Sequence, residues 1–347
     1  MLRYILRSEN RVVFCLCILL IAGMGMSVLF DFNLANSVDQ KSYWGMAQLD
    51  FHTSPHRKYR FIIPLLAGGI NTIIQGIAHL IRPGTLGGDF SLKFSFFLVN
   101  LSICALWLTI IYKYCRAYGI RRLGALIGLL AVVTNRWTAQ YVGTPHTDLL
   151  FCLAVVSMLY GIKTKQNMFL FAAIFLGPFS KESFLFAAPV LFFSFWPYWK
   201  TAFWLFVSGC LVFASRYIID TVTHQGMLQS IAADMSIIAY IPSQLARLKI
   251  MGYWIELFAA FGLWWLLPVA EKLLFGKMPR TNAFLKEPYI IAFLVTSLFQ
   301  IILNGEYARM VYMLMPIYAV VVGMAGERII QNSKFKMQRV LKGGERD

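Results

Sequence analysis

The sequence predicts an all-α, polytopic transmembrane helical bundle of about ten spans, with surface-lying helices in a long first external loop. Three observations lead there. Of 347 residues, 59% are hydrophobic and only 14% are charged, with a mean hydropathy of +0.63, far from the balance of a soluble globular domain. Apolar stretches recur from residue 12 to residue 326, and a hydrocarbon core of about 30 Å takes roughly 20 helical residues to cross. The Lys and Arg residues between those stretches divide unevenly, as the preference of cations for cytoplasmic loops requires.

In chain order the apolar runs fall at 12–30, 93–112, 123–134, 148–162, 167–179, 183–196, 201–218, 251–270, 288–303 and 310–326. The first follows MLRYILRSENR and continues to Phe30 with no small-residue cleavage site, so it reads as a retained span and not a signal peptide. An eleventh run, 61–81, carries Pro64, two consecutive glycines, Asn71, Gln75 and His79, a pattern that suits a helix lying in the interface as well as one that crosses. Loop charge decides between the two. With 61–81 flat and the N-terminus inside, 20 of the 32 Lys and Arg are cytoplasmic and 12 external; if 61–81 crosses, every later loop inverts and the division becomes 11 inside and 21 outside.

The first arrangement is therefore expected. Residues 31–92 become the first external loop with its interfacial helix at 61–81, residues 219–250 a second external segment, and 327–347 a cytoplasmic basic tail. All five histidines (52, 56, 79, 146 and 224) then share the external side. With no repeat, low-complexity stretch or second domain in sight, 1–347 reads as a single transmembrane domain.

The 32 Lys and Arg against 16 Asp and Glu give +16. In a soluble chain that excess would point to nucleic acid; here loop charges and contacts to anionic headgroups or phosphates account for it, and nucleic acid is discounted. The six cysteines (15, 17, 104, 115, 152 and 210) lie in or beside apolar runs with no zinc-like pairing, so they read as small core residues.

The external side also collects Asp39 and Tyr43 in VDQKSYW, the cluster PHRKYR at 55–60, His146 and Asp148 in GTPHTD, Lys181 and Glu182 in SKES, and Glu306 and Arg309 in GEYAR. Charges at span ends are costly unless paired or solvated, so their gathering on one side predicts a shared polar cavity. Plainer readings stand beside this one. Lys181 with Glu182, and Glu306 with Arg309, fit paired or snorkelling charges at helix ends. His146 and Asp148 fit a cap on the span that begins at Leu149. In the basic cluster, His56, Arg57, Lys58 and Arg60 fit either a phosphate group or anionic lipid headgroups. Asp39, with Tyr43 one helical turn later, fits a general base or an ordinary loop carboxylate.

A first span, an external D-x-x-x-Y, and then R-x-x-R-x-x-x-P-L-L running into a surface helix resembles the GT-C superfamily of membrane glycosyltransferases, mannosyltransferase-like. The residues concerned are Asp39, Tyr43, Arg57, Arg60, Pro64, Leu65 and Leu66. The order of elements agrees along nearly the whole chain; the W-W-D-x-G motif of oligosaccharyltransferases and a soluble C-terminal domain are missing.

The resemblance implies an inverting transfer of a sugar from a polyprenyl-phosphate or polyprenyl-diphosphate carrier to an acceptor hydroxyl on the periplasmic or lumenal side. Asp39 would be the catalytic base. Tyr43, His56, Arg57, Lys58, Arg60, His146, Asp148, Lys181, Glu182, Glu306 and Arg309 would line the substrate and phosphate site. The implied partners are the lipid bilayer, the lipid-linked donor, and a glycan, lipid or protein acceptor, and the implied location is the bacterial inner membrane. The lipid-linked sugar donor is the implied co-substrate, and a divalent metal stays open, although no ligand set for one is evident. A transporter or flippase for a lipid-linked or anionic substrate is the alternative from another class, although inverted repeats are not evident.

Overall fold

The computed structural model describes residues 8–31, 38–53, 55–81, 88–224, 242, 246, 249–304 and 310–343, and every regular element among them is helical. In chain order these are α1 (Ser8–Asp31), α2 (Val38–Ala47), the single turn α3 (Pro55–Lys58), α4 (Ile62–Ile81), α5 (Gly88–Ala117), α6 (Arg122–Val133), α7 (Arg136–Gly143), α8 (Asp148–Thr164) and α9 (Asn167–Ser180). There follow α10 (Phe184–Ala187), α11 (Tyr198–Val222), α12 (Met251–Phe261), α13 (Leu266–Phe275), α14 (Pro279–Leu285), α15 (Pro288–Asn304) and α16 (Met315–Gly343).

The core is built on α5 and α8. From Asp148 to Ile162 every residue of α8 is buried, because DLLFCLAVVSMLYGI is apolar on all sides and offers no face to water. Around α5 pack α1, α4, α6, α7 and α8. The outer helices meet lipid instead: α11 exposes Trp199, Phe203, Phe206, Phe213 and Tyr217 and buries only Thr201, Ser208 and Asp220. Where backbones approach closely, small residues allow it. A Cβ placed on Gly128 of α6 would lie 2.2 Å from the Ala319 carbonyl oxygen of α16, and one on Gly68 of α4 would lie 2.2 Å from the Ala47 carbonyl oxygen of α2.

Among the described residues, six helices are long and apolar enough to cross a membrane: Glu9–Asp31, Ile62–Ile81, Asp89–Ala117, Tyr198–Val222, Trp254–Phe275 and Tyr312–Ser333. The pair Pro279–Leu285 and Pro288–Ile301, bent by 68°, brings the number to seven at most. The expected figure of about ten is thus not met by continuous helices, and the reason is local. The run at 123–134 ends at Thr134, and Asn135 starts α7 by accepting from the Trp137 backbone N–H at 2.9 Å while its amide donates to the Ala260 carbonyl. The run at 183–196 passes from α10 into a 3₁₀ turn, Ala188–Phe193. The 17 residues of α8 rise only about 25 Å.

The run at 61–81 is a helix, as expected, and is itself one of the six. Beyond residue 326 the basic tail continues α16 without a break to Gly343. Most of the second external segment lies outside the described residues, except that Asp220 to His224 close α11.

Polar contacts mark the two ends of the bundle. At one end Glu9 accepts from Tyr112 at 2.7 Å and lies 3.3 Å from Arg122; Glu327 pairs with Arg280 at 3.2 Å and Arg121 at 3.6 Å; Lys163 meets Glu287 at 2.8 Å. These tie α1 to α5 and α6, α16 to the start of α6 and to α14, and α8 to the link between α14 and α15. Burial pushes the Tyr118 phenol up, beside Tyr289 and Glu287. The other end of α8, about 22 Å away at Asp148, belongs to a second set of charges.

Candidate functional site

That second set starts with α2, where Asp39 sits in the first turn and Tyr43 four residues on, so both side chains share a face. The helix ends in a tight turn in which the Asp50 backbone N–H donates to the Gly45 carbonyl at 2.9 Å and Leu49 takes a left-handed φ of 66°. Asp50 fixes the exit by accepting from the His52 backbone N–H at 2.9 Å, with the His52 ring Nδ1 at 3.0 Å. Those hydrogen bonds hold the Asp50 carboxyl below its usual range. The chain thereby turns back and delivers α3 alongside α2.

The motif R-K-Y-R then divides by direction. Arg57 Nε donates to Asp39 Oδ1. Arg60 donates through Nη1 to the Tyr43 hydroxyl at 3.3 Å and through Nη2 to Glu182 Oε2 at 3.0 Å. The two residues between them point elsewhere: Lys58 Nζ donates to Asp220 Oδ1, and the Tyr59 hydroxyl lies 2.8 and 3.0 Å from the two oxygens of the same carboxylate. Arg216, one turn before Asp220 on α11, sits 3.6 Å from Glu182 Oε1 and 4.4 Å over the Tyr59 ring.

A second cluster adjoins the first. Lys181 Nζ donates to Asp148 Oδ1 at 3.1 Å, His146 Nδ1 lies 3.8 Å from Asp148 Oδ2, and Gln40 Nε2 is 3.5 Å from His146 Nε2. All four side chains are buried, and ionised groups are tolerated at such depth only when paired. Beside Asp148 and Lys181 is a cavity of about 10 Å³, lined also by Tyr141, Phe151, Cys152, Met310 and Met313. It is large enough for about one water.

The Asp39–Arg57 pair and the Tyr43–Arg60–Glu182 set therefore lie side by side, held together by the turn in which the Arg60 backbone N–H donates to the Arg57 carbonyl at 2.9 Å, and His146, Asp148 and Lys181 form the neighbouring cluster. The adjacent residues Asp39 and Gln40, and the adjacent pair Lys181 and Glu182, join the two. The first cluster reaches solvent. The Asp39, Arg57 and Glu182 side chains are each about a quarter exposed, whereas Lys58 is fully buried. The His56 side chain, Glu306 and Arg309 lie outside the described residues.

Sequence reasoning missed Gln40, Tyr59, Arg216 and Asp220 as parts of this constellation. The available signal was Arg216 and Asp220 four residues apart at the end of an apolar run, one face of a helix carrying opposite charges where lipid would not tolerate them unpaired. Among the described residues no group of three or more His, Cys, Asp or Glu side chains could hold a metal ion. No protein-family model, curated protein or solved structure matches the chain.

Proposed function

We propose that the chain is a GT-C type glycosyltransferase of the bacterial inner membrane. It transfers a sugar from a polyprenyl-phosphate or diphosphate carrier to an acceptor hydroxyl at the periplasmic face, with inversion. The observation that carries the reading is the partly exposed cluster in which one carboxylate, Asp39, is held by Arg57, while Arg60 is fixed one turn away by Tyr43 and Glu182. It supports the assignment because the reaction needs those groups together, a proton acceptor beside cations that receive a phosphate leaving group.

In this reaction the acceptor oxygen bonds to the anomeric carbon as its proton passes to Asp39. The bond from that carbon to the phosphate oxygen breaks, and its electron pair leaves with the lipid phosphate. Arg57 and Arg60 stabilise the departing charge with their planar donor sets, joined on the resemblance by Arg309. Lys58, committed to Asp220 in the interior, serves the architecture and not the phosphate. The reading takes the bundle as ten crossings, with α6 and α7, α10 and its 3₁₀ turn, α12 and α13, and α14 and α15 each counted once. In this arrangement α4 lies along the outer surface. The separation of the two charged ends by the length of α8 supports counting α8 as one of these crossings.

The test is Asp39→Asn, which keeps size and hydrogen-bonding shape but cannot take the proton. Purified protein in lipid is given a panel of lipid-linked sugars, and released polyprenyl phosphate is measured. Turnover is expected to fall roughly a hundredfold to ten-thousandfold with donor binding nearly intact. Wild-type turnover in that variant would move the base to Glu182 or Asp148. Movement of labelled carrier across the bilayer by the wild-type protein, with no sugar released, would make the chain a flippase.

A further inference from the structure

The central pair of the R-K-Y-R motif contributes nothing to the reaction just described, yet it is among the most buried polar pairs of this end of the molecule. Lys58 is 0% exposed, Tyr59 5% and Asp220 5%. An ion pair so buried and spanning 162 positions of sequence is an expensive feature unless something depends on it. What depends on it is visible in the geometry. Residues 57 and 60 carry the two guanidiniums that reach Asp39, Tyr43 and Glu182, and residues 58 and 59, between them, are both anchored to one carboxylate. A short turn such as Pro55–Lys58 has no intrinsic stability, since a single helical turn fixes many dihedrals for few hydrogen bonds. Its orientation must come from tertiary contacts.

The partner helix supports the same reading. α11 lies mostly against lipid, and the residues it buries, Thr201, Ser208 and Asp220, are all polar. Between helices in a bilayer there is no hydrophobic drive, so polar contacts fix their position. Ser208 donates to the Ile174 carbonyl of α9 at 2.7 Å, and Asp220 takes Lys58 and Tyr59. Arg216 completes the attachment by covering the Tyr59 ring and meeting Glu182, the carboxylate that also holds Arg60.

We infer that Asp220, with Arg216, is a positioning site for the anion-binding arginines. α11 clasps Lys58 and Tyr59 so that Arg57 is presented toward Asp39 and Arg60 toward Tyr43 and Glu182. The clasp rests on the proposed phosphate-binding role for its functional consequence, but its effect on position is measurable without it.

The experiment therefore carries two readouts on the full chain in lipid nanodiscs, for Asp220→Asn, for the milder Tyr59→Phe, and for the charge swap Lys58→Asp with Asp220→Lys. Amide hydrogen exchange reads position. Asp220→Asn is expected to speed exchange at least tenfold across residues 38–61 while α5 and α8 exchange as in the wild type. Tyr59→Phe, which strands no charge, should speed it about threefold in the same segment, and the swap should restore slow exchange. Binding of farnesyl phosphate, followed by its protection of the protein against heat, reads function. Asp220→Asn should weaken it about tenfold, with the swap recovering most of the loss.

Unchanged exchange over residues 38–61 in both single variants would overturn the clasp. Exchange that rises equally throughout the chain would also overturn it, since Asp220 would then be only a stability residue. If the wild-type protein binds no prenyl phosphate, the reading of the site fails, and the exchange measurement still decides the clasp.

Discussion

Replacing Gly128 with Ala tests how closely α6 and α16 approach. The added methyl carbon would lie 2.2 Å from the Ala319 carbonyl oxygen and 3.0 Å from its carbon, both backbone atoms that no rotamer change can move. The helices must separate or shift along each other, and the neighbouring positions leave little room: a Cβ on Gly124 would lie 2.8 Å from the Gly323 carbonyl oxygen, and one on Gly326 would lie 3.1 Å from the Ile127 side chain. Overpacking of a rigid interior costs typically about 1–3 kcal/mol, and a backbone clash belongs at the upper end. Removing a helical glycine gives back about 0.5–1 kcal/mol, so the net loss is about 2 kcal/mol. Gly209→Ala is the control, because nothing lies within 4 Å of a Cβ there, and it should be neutral or slightly stabilising. Thermal unfolding of both variants in the same detergent, followed by loss of monodisperse protein, separates them. If Gly128→Ala melts with the wild type, or Gly209→Ala falls as far, the close approach of α6 and α16 is refuted.

Gly68→Ala should push α4 off α2, because its Cβ would sit 2.2 Å from the Ala47 carbonyl oxygen; impermeant probes of residues 38–47 should report the loosening before the whole protein melts. Asp148→Asn strands the buried Lys181 ammonium and should cost about 3–5 kcal/mol in unfolding experiments, whereas Asp148→Leu with Lys181→Met should recover most of it; equal stability of Asp148→Asn and wild type would mean the pair is not desolvated. For topology, an impermeant thiol reagent should label Gly87→Cys from outside and leave Gly343→Cys protected in a background without native cysteines. Labelling of position 343 from outside would mean that α4 crosses the bilayer.

Much of the architecture could be read from one dimension. Burial in lipid is a property of composition, so helical class and membrane setting follow from long apolar runs alone. The interfacial pattern of 61–81 likewise announced a helix that became α4. Span count was less legible, because an apolar run is silent about where the backbone breaks. Gly262, at a left-handed φ of 60°, breaks the run at 251–270, and the run at 183–196 passes into a 3₁₀ turn at Ala188. Asn135 follows the short α6 and starts α7, held by a long-range bond to the Ala260 carbonyl.

The candidate site divides the same way. Clustering of Asp39, Arg57, Arg60, His146, Asp148, Lys181 and Glu182 near span ends was visible in the chain, because unpaired charge is costly in lipid wherever it falls. Which charge pairs with which was not. Asp39 takes Arg57 across 18 positions, Glu182 takes Arg60 across 122, and Asp220 takes Lys58 across 162. Sequence by itself determined that these ionisable groups must find partners, since the cost of leaving them bare depends only on the solvent around them. Only the tertiary structure decided the partners, since pairing depends on which helix ends the packing of α5, α8 and α11 brings within hydrogen-bond reach.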